Sequence, residues 1–274
     1  MPPAARHWTL DDIPWSAFDA AKVTPDLLKV VKAAAMVERN GADYGRYLCN
    51  VFANDPDFCQ LARAWAVEEE QHGLALGRWA ELADPAFDAD AAFARFRALY
   101  RIPVEASVSV RGSPTAELCA RCVVETGTSS FYSALRDASD EPVLKAICAK
   151  IAADEFRHYK LFFTAMQRYA QTRPLSLLGR LKVAFGRMQE ADDDELATAY
   201  YAGNGLTEPY DRDANAAAYS ARAFGFYRKR HTKRAGHMIA QAVGLDPEGL
   251  AGRLIQQLMW LVIGFAGRKF RPAV

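Results

Sequence analysis

Apolar residues recur along this chain at alternating steps of three and four, the spacing that lines one face of an α-helix. Four long segments carry the pattern. Between about 25 and 53 the face holds Leu27, Val31, Ala34, Glu38, Gly41, Gly45, Leu48 and Phe52. Between about 56 and 83 it holds Phe58, Leu61, Trp65, Glu69, His72, Leu76 and Trp79. A third segment, about 114–137, aligns Leu118, Cys122, Glu125, Ser129 and Tyr132. The fourth, about 141–171, aligns Leu144, Cys148, Ile151, Glu155, His158, Phe162, Ala165 and Tyr169.

Thr24-Pro25 supplies an N-cap followed by a proline at the first helical position. Short loops join the first segment to the second and the third to the fourth, so each pair predicts an antiparallel hairpin. The stretch 84–113, which carries Pro103 and runs up to Pro114, is long enough to cross from one end of a bundle to the other. Three further helical stretches are expected, at about 176–201, 213–243 and 247–268. Alternating β-branched runs and Asn-Gly or Asp-Gly hairpins are lacking, so the expected class is all-α. One domain spanning 1–274 is expected, with a core bundle at about 25–171 and a C-terminal helical extension at about 175–268.

Composition narrows the classes. The 274 residues are 51% hydrophobic, enough for one large core. Net charge is +1, without the basic excess that nucleic-acid binding usually needs. Five cysteines argue against a secreted disulfide scaffold. The opening MPPAARHWTLDDIPW has no apolar core of a signal peptide, and 254–267 is too short and too polar for a spanning helix. A cytoplasmic protein is the expectation, with 254–267 a buried or interface helix.

The chemistry lies on the seams. Each carries one carboxylate where an apolar residue is expected: Glu38, Glu69, Glu125 and Glu155. Two add a histidine three residues later, His72 and His158, on the same helical face. The spacing repeats, with Glu38 and Glu69 31 residues apart and Glu125 and Glu155 30 apart. Carboxylates gathered in a dry core cost several kcal/mol per ion unless compensated. Two cations compensate them well. One Glu from each of two helices plus a Glu-x-x-His from each of two others is the ligand set of a carboxylate-bridged dinuclear site in a helical bundle. Oxygen and nitrogen donors without thiolate suit iron or manganese. Of the run Glu68-Glu69-Glu70, only Glu69 is in register with His72, so Glu68 and Glu70 are expected to face solvent.

RAWAVEEEQHG (63–73) and IAADEFRH (151–158) resemble the two ligand helices of the soluble acyl-acyl-carrier-protein desaturases, in the ferritin-like superfamily. ETGTSSF (125–131) extends the likeness, with Thr128 three residues after Glu125. The resemblance covers roughly 25–171 and implies a ferritin-like four-helix bundle with a long crossover. It implies that Glu38, Glu69, Glu125, Glu155, His72 and His158 hold two iron ions, with manganese possible at one or both positions. Asp154 and Arg157 would orient those ligands, and Thr128 would act beside the oxygen-binding face. The implied activity is O2-dependent desaturation or hydroxylation of an aliphatic or acyl-type substrate, free or carrier-bound. An external electron donor, ferredoxin-like or a flavin reductase, and a homodimer go with it. The alternative is a ferroxidase or a rubrerythrin-like peroxide scavenger. A metal-free structural bundle is the third class.

Other features carry less. Cys119-x-x-Cys122 has no second pair to complete a zinc or rubredoxin site, so small core residues are expected. Gly41 and Gly45 serve either close helix packing or a substrate channel. Tyr44, Tyr47, Tyr132 and Tyr169 could relay electrons or line a channel, ordinary packing being the simpler reading. RKRHTKR (228–234) is a basic run that solvates a helix face or docks an acidic partner; His231 and His237 show no partner carboxylate, and His7 is expected at the surface.

Overall fold

In the computed structural model, residues 7–189 and 194–269 are described, and every regular element among them is helical. Four helices start by the same local chemistry. Thr24, Asp55, Ser113 and Glu141 each accept backbone N–H groups with their side chains, and each is followed by a proline at the first helical position. These open α1 (Pro25–Arg39), α3 (Pro56–Ala83), α5 (Pro114–Ala138) and α6 (Pro142–Thr172). The expected first segment is two helices, because α1 stops at Asn40 and α2 (Gly41–Val51) begins at once. The Asn40 carbonyl accepts from both Asp43 and Tyr44, so the chain turns without losing a full turn of hydrogen bonds. The buried face survives the break, since Gly41, Gly45, Leu48 and Phe52 remain inside.

The expected crossover contains a helix of its own, α4 (Ala89–Leu99), capped by Asp88 and burying Ala89, Ala92 and Phe96. The stretch expected at 176–201 is α7 (Leu177–Gln189) and α8 (Asp194–Gly203). The one expected at 213–243 is α9 (Arg212–Gly225) and α10 (Lys229–Val243), parted by a turn at 226–228. The last helix, α11, runs Leu250–Lys269.

Helix α1 packs along α3, α5 packs along α6, and α3 meets α6. Helices α8 and α9 close over α1, α7 and α10 lie against α5, and α11 rests on α9 and α10. The seam side chains form two apolar clusters. One includes Val30, Leu76, Trp79, Tyr132 and Leu144; the other includes Phe58, Trp65, Leu118, Cys122 and Phe162. In every core helix the seam carboxylate falls in the sequence between residues of these two clusters, so each sealing layer is apolar. Leu61 departs from the expected seam at 49% exposure, and the fully buried Ala62 takes its place. Helix α11 is not buried within the chain. Leu254, Leu258, Leu261 and Val262 are exposed on it, while Gln256 is inside. No helix among the described residues is long and apolar enough to cross a membrane.

The contact of α2 on α3 depends on glycine. A Cβ at Gly41 would lie 2.5 Å from the Glu69 Cβ and 3.0 Å from the Ala66 carbonyl oxygen. One at Gly45 would lie 2.6 Å from the Ala66 Cβ. A side chain at either position would run into α3, so both glycines allow the close packing of α2 on α3. Gly41→Ala is expected to destabilise the protein by about 1–3 kcal/mol, as overpacking does. Urea unfolding with an unchanged m-value checks it.

Candidate metal centre

Helices α1, α3, α5 and α6 each aim one seam glutamate at a common point, and all four are buried. Ligand-capable atoms fall into three sets, each within 4.8 Å: two are fully buried, Glu38, Glu69, His72 and Glu155 forming one and Glu69, Glu125, Glu155 and His158 the other, and the third is the less buried His7, Glu68 and Asp154 outside them. Glu69 and Glu155 belong to both buried sets. One glutamate and one histidine belong to each of these two sets alone, and groups so gathered could hold metal ions. The structure thus brings together every residue expected as a ligand.

Both histidines are turned the same way. His72 Nδ1 lies 3.2 Å from Glu155, 3.4 Å from Glu69 and 3.6 Å from Glu38, and His158 Nδ1 lies 3.1 Å from Glu69. Each Nε2 points outward to a carboxylate on the opposite helix. His72 Nε2 is 3.0 Å from Asp154, and His158 Nε2 is 2.7 Å from Glu68. Asp154 immediately precedes Glu155, and Glu68 immediately precedes Glu69. Each motif's leading acid therefore orients the other motif's histidine, the arrangement that fixes ring rotation and tautomer in metal-ligating histidines. The Arg157 guanidinium donates to both, 2.5 Å to Asp154 and 3.1 Å to Glu68.

Two expectations are corrected here. Glu68 does not face solvent; it is half-buried against His158, whereas Glu70 is exposed as expected. His7 is not a free surface residue, because its Nε2 lies 3.0 Å from Asp154. The next residue binds the same carboxylate. Trp8 Nε1 donates to Asp154 at 2.6 Å, and its indole stacks on the His72 ring with an interplanar angle of 4°.

Electrostatics divides the cluster. Burial, then the nearby Glu69 charge, pushes Glu38 well above the usual carboxylate range; burial, then Glu155 and Glu69, does the same to Glu125. Burial also pushes on Glu69, but the His158 and His72 contacts outweigh it and hold Glu69 well below that range. Glu155 is raised by burial and by Glu69, yet the two histidines bring it below its ordinary value. Burial opposes charge on His72 and His158, and their carboxylate partners overcome it, raising both. The histidines thus favour the charged form of Glu69 and Glu155, while burial favours the protonated form of Glu38 and Glu125.

The residues fit a metal pair. Buried and without hydrogen-bond partners are His72 Nδ1, His158 Nδ1, both Glu125 carboxylate oxygens and Glu155 Oε1. Orphaned buried atoms of this kind are uncommon, and all five converge here. The donors are oxygen and nitrogen without thiolate, which suits iron or manganese.

The remaining expected residues are placed as follows. Thr128 Oγ1 donates to Glu155 Oε2 at 2.5 Å, tying it to a ligand. Each tyrosine finds a carboxylate: Tyr132 on Glu38, Tyr44 on Glu195, Tyr47 on Glu117 and Tyr169 on Asp55. Cys119 and Cys122 are buried thiols, Cys119 pushed up to about 11 by burial, and none of the five cysteines is in a disulfide. In the basic run, Arg230 pairs with Asp137 and Arg234 lies over Phe156. His231 does have a carboxylate, Asp137 at 2.9 Å, and His237 lies 3.5 Å from Glu248; neither joins the cluster.

No family model matches the chain, and no curated protein matches it.

Two outcomes are expected. Ligands must give up their protons to bind metal. Glu38, Glu125, His72 and His158 are all shifted toward their protonated forms, so loading is expected to release protons and to strengthen as pH rises. Calorimetry in buffers of different ionisation enthalpy measures this; release near zero contradicts the protonation scheme. Second, Glu68→Ala is expected to weaken metal binding about 10–100-fold, as loss of a histidine-orienting group does. Glu70→Ala is expected to leave it unchanged, and equilibrium dialysis with Mn2+ distinguishes them.

Proposed function

We propose that this chain is an O2-dependent di-iron oxidoreductase built on a ferritin-like four-helix bundle, acting on an aliphatic or acyl-type substrate by desaturation or hydroxylation. The observation that carries the reading is the sharing of Glu69 and Glu155 between two four-residue ligand sets whose inward atoms lack partners. The likeness of 63–73 and 151–158 to the acyl-acyl-carrier-protein desaturases supports the choice of substrate class. On this reading the partners are O2, a free or carrier-bound acyl chain, and an external donor of the ferredoxin or flavin-reductase kind. A homodimer goes with the reading, and the apolar stripe left open on α11 is compatible with one.

Two iron ions would be held by Glu69 and Glu155, which belong to both sets, together with Glu38 and His72 in one and Glu125 and His158 in the other. Manganese at one or both positions suits the same donors. The metals would supply O2 activation and the power to remove hydrogen from an unactivated C–H bond. The chain's own part is positional. Asp154 and Glu68 hold the histidine rings, and Arg157 holds Asp154 and Glu68. The apolar clusters containing Trp79 and Ile151 on one side and Trp65 and Phe162 on the other exclude water. Thr128 holds a proton at Oγ1 against Glu155 Oε2, where it can be passed to or taken from the ligand shell.

Reduced, iron-loaded protein supplied with a panel of fatty acyl substrates is expected to consume O2 in proportion to product. Mass spectrometry is expected to show loss of two hydrogens or gain of one oxygen. Glu155→Ala is expected to lose both metal and turnover. Rapid peroxide consumption without any organic substrate would replace this reading with the peroxide-scavenging one.

A further inference from the structure

The two metal positions are equivalent in sequence, each offering one glutamate and one Glu-x-x-His. Their hydrogen bonding is not equivalent. Glu38 Oε1 accepts the Tyr132 hydroxyl at 2.5 Å, and the phenol is 1% exposed. The other oxygen, Oε2, is the one facing His72 Nδ1, at 3.6 Å. At the second position Glu125 Oε2 likewise faces His158 Nδ1, at 3.7 Å, but both Glu125 oxygens are buried without a hydrogen-bond partner. No tyrosine holds Glu125.

We infer that Tyr132 is a positioning residue that makes the two metal positions unequal. It fixes Glu38 as a ligand through one oxygen, so that the Glu38–His72 position fills first and exchanges slowly. Glu125, free to bind through one oxygen or two, makes the Glu125–His158 position the one that changes coordination. This rests on the reading that the cluster binds two divalent ions.

The physical argument is preorganisation. A ligand already held in place loses little freedom when the ion arrives, and a loose one must be ordered then. Tyr132 is well placed to hold Glu38, because it is a rigid ring inside the apolar cluster of Val30, Leu76, Trp79 and Leu144. The histidine at the same position is held as firmly. Asp154, 4% exposed, takes bonds from Trp8, Arg157 and His7 as well as meeting His72. Glu68, which meets His158, is 22% exposed at its side chain and reaches only Arg157 and, at 3.7 Å, His7 besides. Tyr132 and Asp154 therefore act on the same ion, and the second ion has a more open shell.

The test is a titration of the full-length, metal-stripped protein with Mn2+, followed by calorimetry and by electron paramagnetic resonance. The wild type is expected to bind in two resolved steps, showing an isolated Mn2+ spectrum at one equivalent and a coupled pair at two. Tyr132→Phe is expected to weaken the first step about tenfold or more and leave the second unchanged. Glu125→Gln is expected to keep the first step and lose the second, and Glu38→Gln to lose the first. Helical circular dichroism establishes that each variant folds; if Tyr132→Phe does not, the two glutamine variants decide. Indistinguishable steps in the wild type, unchanged constants in folded Tyr132→Phe, or loss of the tight step in Glu125→Gln would overturn the inference. Absence of any Mn2+ or Fe2+ binding by the wild type would instead bring down the metal reading on which it rests.

Discussion

Four carboxylates share a dry space between two apolar layers, and the architecture around them follows from that constraint. Desolvation and mutual repulsion would drive such a group apart. Two buried histidines turn the balance, favouring the charged form of Glu69 and Glu155, while burial and their neighbours' charge favour the protonated form of Glu38 and Glu125. The cluster is stable enough to bury and still holds unsatisfied lone pairs. Cations bound there would replace protons with charge of the same sign.

Around this centre the outer contacts cross between helices. The acid before each Glu-x-x-His glutamate serves the histidine of the other motif, and Arg157 bridges both acids. The helices α3 and α6 are thereby linked through polar bonds as well as by packing. Gly41 allows α2 to lie against α3 at Glu69 itself, which backs that ligand with main chain rather than a mobile side chain. The break at Asn40 and the glycine after it thus belong to the site's support.

Much of this could be read from single-helix patterns, and what could not has identifiable reasons. The seam alternation places Glu38, Glu69, Glu125 and Glu155 inward because each repeats the phase of its apolar neighbours. It misjudges Glu68, since a helix wheel shows which way a residue points but not that His158 on α6 waits there. The clue was in the motif, where Glu68-Glu69 matches Asp154-Glu155. The Asn40 break is masked because the burial phase passes through it intact, although the Asn40-Gly41 dipeptide is itself a turn signal. Helix α4 hid in a stretch taken for a connection, although Asp88 and the spacing of Ala89, Ala92 and Phe96 carry an ordinary cap and face. Leu61 was chosen for hydrophobicity over Ala62, the smaller residue that keeps the alternation. The tyrosine contacts are tertiary, and nothing in the local pattern announces that Tyr132 will meet Glu38.

The N-terminal arm bears on how the chain assembles. Trp8 closes the outer shell by reaching Asp154, 146 positions along the chain. The arm precedes α6 in the chain, yet its docking site does not exist until α6 has paired with α3. Closing so long a loop costs entropy that only a finished partner surface repays. The cover over His72 is therefore among the contacts of longest sequence separation in the chain, and its stability depends on the pairing of α3 with α6 rather than on anything local to the arm.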